Sequence, residues 1–142
     1  MLELGTALGY TALWFAHGAP DAIVDTVERD PVHVRLARAN IAAAAMSERV
    51  VVHHGDFDDT LPGLRAPYDV VFFDGYAPTM PIMAQVKCLL ANRGVLISAN
   101  LILGGGDGPA YREALCDQNE WQTVFPTVSE ETAISMRAAK SA

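Results

Sequence analysis

The chain has 142 residues, of which 51% are hydrophobic, and its formal net charge at pH 7 is −7. This length suffices for one core, so we predict a single domain over residues 1–142. The ten Lys and Arg residues are scattered and the net charge is negative, which opposes binding to a phosphate backbone. We therefore expect a small-molecule substrate and no nucleic-acid partner.

The sequence shows no membrane span, no secretion signal and no cysteine spacing that suggests a metal site. No run approaches the roughly 18 apolar residues of a membrane span, and the N-terminus lacks the basic start and cleavage site of a secretion signal. Cys88 and Cys116 lie in different predicted elements without metal-type spacing, which is typical of free thiols in a reducing compartment. We expect a cytoplasmic protein with no membrane partner.

The first eleven residues are the most informative stretch. An apolar strand end is followed by a turn with Gly5 and Gly9 and then by a helix predicted from Tyr10 to Ala16. Backbone N–H groups at such a turn face a ligand. The spacing Glu-x-Gly-x-x-x-Gly differs from the Gly-x-Gly-x-x-Gly of dinucleotide binders. Because the Glu3 carboxylate favours a cationic ligand, S-adenosylmethionine, with its ammonium and sulfonium, is the leading candidate.

The rest of the chain alternates between apolar runs and helix-like periodic segments. Asp30 is positioned to cap a helix that begins at Pro31. Strands are predicted at 22–27, 50–54, 68–73, 95–99, 121–125 and 132–136, and helices at 31–45, 81–90 and 111–119, with a short turn or helix at 60–64. This alternation predicts an α/β fold, a Rossmann-like, doubly wound, mostly parallel sheet with helices on both faces.

Four acidic residues lie at or just past the carboxyl ends of predicted strands: Glu3, Glu28, Asp56 and Asp74. Ligands of doubly wound sheets bind outside these strand ends. We expect the four carboxylates to converge on one rim and to surround a positively charged nucleoside. Capping of the next helix is the alternative for any one of them.

Two of these acids are predicted to bind the nucleoside. Glu28 is positioned to accept hydrogen bonds from both ribose hydroxyls, a device that nicotinamide-binding folds also use. Asp56 is positioned to accept from the adenine amino group, with Phe57 beside the base. A turn-capping role explains Asp56 equally well.

The other contacts concern the amino-acid end of the ligand. Thr11 and the amides of the glycine turn are predicted to bind the carboxylate at the helix N-terminus. Glu3 and Asp74 are predicted to balance the ammonium. Tyr10 either adds a cation–π contact or packs in the core.

These motifs resemble the class I S-adenosylmethionine-dependent methyltransferases, and most of all the O-methyltransferase branch that includes catechol O-methyltransferase. The resemblance begins with Glu-Leu-Gly-x-x-x-Gly-Tyr-Thr and continues in the family's order through Thr26–Pro31, Gly55–Asp56, Tyr68–Asp74, Leu89–Ile97 and Asn100–Gly105. It implies methyl transfer to an oxygen, less often a nitrogen, of a small acceptor. The predicted cofactor-binding residues are Glu3, Gly5, Thr6, Gly9, Tyr10, Thr11, Glu28, Arg29, Asp56, Phe57 and Asp74.

The metal site of this branch is only partly matched. Metal-dependent members bind magnesium or calcium with two acids and an Asn and use a nearby Lys as base. Asp74 and Asn100 match two ligand positions, but Ala99 replaces the second acid and Ala77 the Lys. Because two oxygen ligands are few for Mg²⁺, we predict no tightly bound metal, with Asp74 and Asn100 forming at most a weak site. Asp74 is then predicted to orient or deprotonate the acceptor.

Several alternatives stay open. The chain begins inside the first strand, whereas the resemblance implies preceding helices, so it is a fragment, a misassigned start or a minimal form. We expect such a chain to expose apolar surface and to favour a homodimer.

A nicotinamide-dependent oxidoreductase is the second enzymatic hypothesis, since it would share the fold and Glu28, but this sequence lacks the dinucleotide spacing. A cofactor-binding module without turnover is the non-enzymatic alternative.

Overall fold

A computed structural model describes residues 1–129 and 131–139 of the chain. Its elements are β1 (Leu2–Leu4), α1 (Tyr10–Gly18), β2 (Val24–Glu28), α2 (Pro31–Ala43), β3 (Val50–His54), α3 (Phe57–Thr60) with a 3₁₀ turn (Leu61–Gly63), β4 (Tyr68–Phe73), α4 (Met80–Leu89), β5 (Leu90–Ser98), α5 (Gly108–Leu115), β6 (Trp121–Val124) and β7 (Ala133–Arg137). The chain divides into two compact units, Met1–Gly63 and Leu64–Ala142. The single domain expected from the sequence stays a prediction.

The first unit contains a parallel sheet of three strands. β2 lies between β1 and β3, and Leu4 is aligned with Val27, which is aligned with His53. The carboxyl ends of the three strands therefore share one edge. Residues that follow these strands are brought to the same side of the unit.

One face of this sheet is covered by α1 and α2. Val34, Ala37 and Ile41 recur at helical spacing on α2 and are buried. Asp30 accepts a hydrogen bond from the Val32 backbone N at 2.7 Å, so the predicted N-cap is confirmed. The helices pack on strand residues in a core of Ala12, Ala16, Val24, Val34, Ala37, Ile41, Val50 and Val52.

The second unit contains parallel and antiparallel strand pairs. β4 and β5 are parallel, and β7 pairs antiparallel with β5 on one side and with β6 on the other. The helix α5 lies against this sheet, since the Tyr111 hydroxyl is 3.1 Å from the Ser98 hydroxyl and Thr123 donates to the Leu115 carbonyl at 2.5 Å. The buried side chains of the second unit include Val71, Phe73, Met83, Val86, Leu96, Tyr111, Leu115 and Trp121.

The α/β pattern predicted from the sequence is confirmed, and the strands at 50–54 and 68–73 have the predicted bounds. β5 begins at Leu90 rather than Val95, because the residues before Val95 form an irregularity within the strand, where the pairing register shifts and Arg93 has φ 61°. The helix α5 spans Gly108–Leu115 rather than 111–119, with a proline in its first turn. No helix in the described ranges is long and apolar enough to span a bilayer.

Candidate functional site

The turn between β1 and α1 is fastened to the end of β2. The backbone N–H groups of Gly5 and Thr6 both donate to the Val27 carbonyl, at 3.1 and 3.2 Å. The next N–H, of Ala7, donates to the Glu28 carboxylate at 2.9 Å. Consecutive residues of the turn are thus held by consecutive residues of the strand. We call residues 5–9 the glycine loop.

Three residues of the glycine loop have a positive φ, which residues other than glycine rarely adopt. Gly5 has φ 107°, Ala7 has φ 45° and Gly9 has φ 83°, and the left-handed region strongly favours glycine. A Cβ on Gly9 would lie 3.5 Å from the Ala37 Cβ on α2. The two glycines predicted as turn residues are therefore required by the fold of the loop.

The N-terminus of α1 is capped by Gly9, and no side chain accepts from its first amides. In contrast, α2, α3 and α4 each have a side-chain cap, whereas α5, like α1, has none. Thr11 is half-buried in the first turn of α1. Tyr10 is 71% exposed and its ring contacts Trp14 edge-on, so the core role considered for Tyr10 is wrong. The uncapped amides are suited to an anionic group.

The Glu28 carboxylate lies between the glycine loop and α2. One oxygen accepts from the Ala7 backbone N, and the other accepts from the Asp30 backbone N at 2.9 Å. The side chain is 11% exposed, and the His33 Nδ1 lies 4.0 Å from it. Each carboxylate oxygen has a second lone pair, so the predicted acceptance from two hydroxyls is compatible with these bonds.

Glu3 lies beneath the loop. Its side chain is among the fully buried ones, and its Oε2 accepts from the Thr26 hydroxyl at 2.5 Å. The Thr26 hydroxyl is in turn 2.6 Å from that of Thr6. The direct contact of Glu3 with a ligand ammonium stays a prediction, whereas its contact with β2 is a feature of the fold.

Asp56 follows β3 and caps the short helix α3. Its Oδ1 accepts from the Phe57 backbone N at 2.9 Å, so the capping alternative is confirmed and contact with an adenine stays a prediction. Arg29 lies 4.0 Å from Asp56, with side-chain exposures of 79% and 58%. An exposed pair of this kind contributes little to stability.

Asp74 follows β4 in the second unit and is paired with Asn100, which follows β5. The Asn100 Nδ2 donates to the Asp74 carboxylate at 3.2 Å and to the Gly75 carbonyl at 2.8 Å. Partial burial raises the pKa of the Asp74 carboxyl above its ordinary value, and the hydrogen bond from Asn100 opposes the rise. A raised pKa makes the carboxylate a better proton acceptor near neutral pH.

The predicted site residues of the first unit, apart from the buried Glu3, belong to the glycine loop, to the first turn of α1 or to the residues at and just past the ends of β2 and β3. That Asp74 joins them stays a prediction. Ala77 is buried and Ala99 half-buried. Within residues 1–129 and 131–139, no group of three or more His, Cys, Asp or Glu side chains is positioned to bind a metal ion. The absence of a tightly bound metal stays a prediction as well.

A groove of about 720 Å³ lies elsewhere, along β6 in the second unit. Its lining includes Leu115, Trp121, Phe125, Ile134 and Met136. It contains none of the predicted site residues, and its walls combine apolar side chains with the polar Gln118, Gln122 and Thr123.

Thr26 and Ala7 were missed by the sequence analysis. Thr26 is buried and bridges Glu3 and Thr6, and Ala7 supplies the N–H that binds Glu28. A hydroxyl within the apolar run 22–27 is a signal that could have identified Thr26. Nothing in the residue type of Ala7 indicates its positive φ.

Residues 2–100 match a protein family described as a methyltransferase domain. The chain belongs to this family. It is 40% identical over 109 residues to a catechol O-methyltransferase of Mycobacterium tuberculosis and 33% identical over 111 residues to one of Niastella koreensis. Each alignment covers 75% of this chain and 50% of the relative, so the methyltransferase chain spans about half the length of these curated relatives. The resemblance inferred from the motifs is confirmed.

Solved structures show the fold of this methyltransferase domain. An O-methyltransferase of Bacillus cereus in complex with S-adenosylhomocysteine has a TM-score of 0.80 at 23% identity, covering 96% of this chain and 72% of that one. The Streptomyces achromogenes O-methyltransferase of tomaymycin synthesis, in complex with S-adenosylmethionine, has a TM-score of 0.80 at 24% identity, covering 97% and 72%. The predicted Rossmann-like fold is confirmed, and the comparisons give no support to the oxidoreductase alternative.

Proposed function

We propose that this methyltransferase domain binds S-adenosylmethionine at the glycine loop and transfers a methyl group to an oxygen of a small-molecule acceptor. The observation that carries the proposal is the glycine loop itself, fixed to β2 by three backbone N–H bonds and continued by a helix whose first amides no side chain caps. The N–H groups of Gly5, Thr6, Ala7 and Gly9 already donate within the protein, so the donors offered to a carboxylate are the first amides of α1. Family membership and the ligand-bound neighbours support the same cofactor.

Each part of the cofactor has a chemically matched group in the chain. We propose that the amides of Tyr10 and Thr11 bind its carboxylate, since the Gly9 N–H already donates to the Thr6 carbonyl, and that the Glu28 lone pairs accept from its ribose hydroxyls. Asp56, beside Arg29 and Phe57, accepts from the adenine amino group. Glu3 and Asp74 balance the ammonium, with the exposed Tyr10 ring adding a cation–π contact.

When bound, the cofactor supplies a methyl group activated by a sulfonium. The task of the chain is to align the acceptor oxygen and to exclude competing nucleophiles. We propose that Asp74 accepts the acceptor proton, because its raised pKa and its fixed contact with Asn100 suit a general base.

We propose that methyl transfer proceeds without a firmly bound metal. The support is the chemistry of the side chains, since alanines at 77 and 99 offer no ligand and Asp74 and Asn100 alone supply few oxygen atoms for Mg²⁺. Treatment with EDTA is expected to leave activity unchanged. Full loss on chelation, with recovery on adding Mg²⁺, would contradict this part of the proposal.

Titration calorimetry of the full chain tests cofactor binding. We expect S-adenosylhomocysteine to bind and NADH not to bind. Failure of S-adenosyl ligands to bind at millimolar concentration would refute the proposal, and binding of NADH alone would revive the oxidoreductase.

Turnover requires a separate experiment, because a cofactor-binding module without activity has the same loop. Radiolabelled methyl transfer to a panel of phenols and amines is expected to label phenols most. Binding without any labelled acceptor would favour the module.

The proposal also includes a cytoplasmic location, a homodimer and no nucleic-acid partner. Sedimentation of the purified chain tests the dimer.

A further inference from the structure

A chain of buried hydrogen bonds lies under the glycine loop. The Thr26 hydroxyl donates to the Glu3 carboxylate at 2.5 Å and lies 2.6 Å from the Thr6 hydroxyl. The three side chains are 0%, 1% and 3% exposed, respectively. They belong to three different segments, since Thr26 is in β2, Glu3 in β1 and Thr6 in the loop.

Proton counting fixes the direction of this chain. A threonine hydroxyl has one hydrogen, and Thr26 gives its hydrogen to Glu3. Its oxygen can therefore only accept from Thr6, so the hydroxyl of Thr6 donates. Hydrogen bonds that end on a carboxylate are short and strong, and linked hydroxyls strengthen one another in a buried environment.

The hydrogen bond to Thr26 complements those of the Thr6 backbone. The Thr6 N–H donates to the Val27 carbonyl at 3.2 Å, and the Thr6 carbonyl accepts from the Gly9 N at 2.8 Å. Gly9 is the cap of α1. Fixing the side chain of Thr6 thus fixes the residue that presents the first amides of the helix.

We propose that Thr26 is a positioning residue. Its hydroxyl connects the buried Glu3 carboxylate to the Thr6 hydroxyl and thereby keeps the glycine loop in its binding geometry. Thr26 does not touch the ligand in this account. The inference rests on the proposed function and deepens it, because it assigns the affinity of the loop to a hydroxyl outside the loop. Preorganisation of this kind raises affinity by removing the cost of ordering the site.

The variant Thr26→Val removes the hydroxyl and keeps the shape of the side chain. In titrations of the full chain, we expect S-adenosylhomocysteine to bind about tenfold more weakly. Thr26→Ser keeps the hydroxyl and is expected to stay within about threefold of the parent. The matched control is Thr123→Val, because Thr123 also lies in a strand and donates to the Leu115 carbonyl. It is expected to lose stability without losing affinity.

Hydrogen exchange of the ligand-free chain separates positioning from a purely structural role. We expect Thr26→Val to speed exchange at the loop amides of Ala7 and Gly9 while the amides of α2 stay protected. Unchanged loop exchange and unchanged affinity in Thr26→Val would overturn the inference. If the parent binds no S-adenosyl ligand, the proposed function fails, whereas the exchange comparison still tests whether Thr26 orders the loop.

Discussion

At the scale of single residues, Asp74 is subject to two opposing effects. Partial burial disfavours its charged form and raises its pKa, while the amide of Asn100 stabilises the carboxylate and lowers the pKa. Asn100 adopts φ 62°, a conformation that Asn tolerates better than most residues. The position of the Asn100 amide beside Asp74 therefore depends on the backbone conformation of Asn100 as well as on the hydrogen bond.

Replacing Asn100 tests the role of Asp74 as a base. Asn100→Gly removes the amide and keeps the positive φ accessible. The pKa of Asp74 then rises further, and because the base acts when deprotonated, the acidic limb of the pH–activity profile moves to higher pH. The measurement is kcat/KM against pH with an accepted phenol. The control is Asn119→Gly, which breaks a comparable Asn–Asp contact with Asp117, and a shift in both variants would contradict the assignment.

Glu28 offers a second test at this scale. Both of its oxygens accept backbone N–H groups, and the amide of Glu28→Gln has only one accepting atom, so its NH₂ group faces a donor. We expect affinity for S-adenosylhomocysteine to fall by about tenfold. Glu113→Gln, an exposed change on α5, is the control. Equal affinity of Glu28→Gln and the parent in calorimetry would remove Glu28 from the site.

At the scale of elements, β2 is the strand on which the glycine loop depends. Its last three residues, Thr26, Val27 and Glu28, bind the loop through a hydroxyl, a carbonyl and a carboxylate. Because side chains alternate along a strand, Thr26 and Glu28 lie on the same face. The strand is thereby a template for the loop as well as part of the sheet.

The cap of α2 yields a prediction about acid stability. Hydrogen bonds from Val32 and His33 lower the pKa of Asp30 below 3.8, so its stabilising effect is present above that pH and is lost as the pH falls through the lower folded value. Asp30→Ala is expected to unfold at lower urea concentration at neutral pH, with the difference shrinking in acid. Asp30→Asn, which still caps, should show less of this pH dependence. A difference that stays constant into acid would contradict the account.

Much of the element pattern was predictable, and the exceptions have local causes. Apolar runs and the capping pair Asp30–Pro31 specified β3, β4 and the start of α2 correctly. The early start of β5 was not predictable, because the register shift beside Arg93 depends on pairing with β4. In the site, glycine spacing and strand-end acids indicated the loop, whereas the buried state of Glu3 depends on Thr26 in a different strand.

At the scale of the whole molecule, the sequence indicates the family more firmly than the activity. Family membership follows from a match over residues 2–100, but the aligned residues cover only 50% of each curated relative. Acceptor choice depends on residues that shape the acceptor pocket. The motifs identified here concern the cofactor, so they predict reaction class and leave the acceptor undetermined.

Calorimetric unfolding tests both the single domain and the proposed cofactor. If residues 1–142 form one cooperative domain, heating gives a single transition although the chain comprises two compact units. A ligand that binds only the folded state stabilises it by about 2.7 kcal/mol at one hundred times its dissociation constant. We therefore expect S-adenosylhomocysteine to move the whole transition upward, and NADH to leave it in place. Two transitions, of which only one responds, would mean that the units fold independently and that the glycine loop binds ligand within residues 1–63 alone.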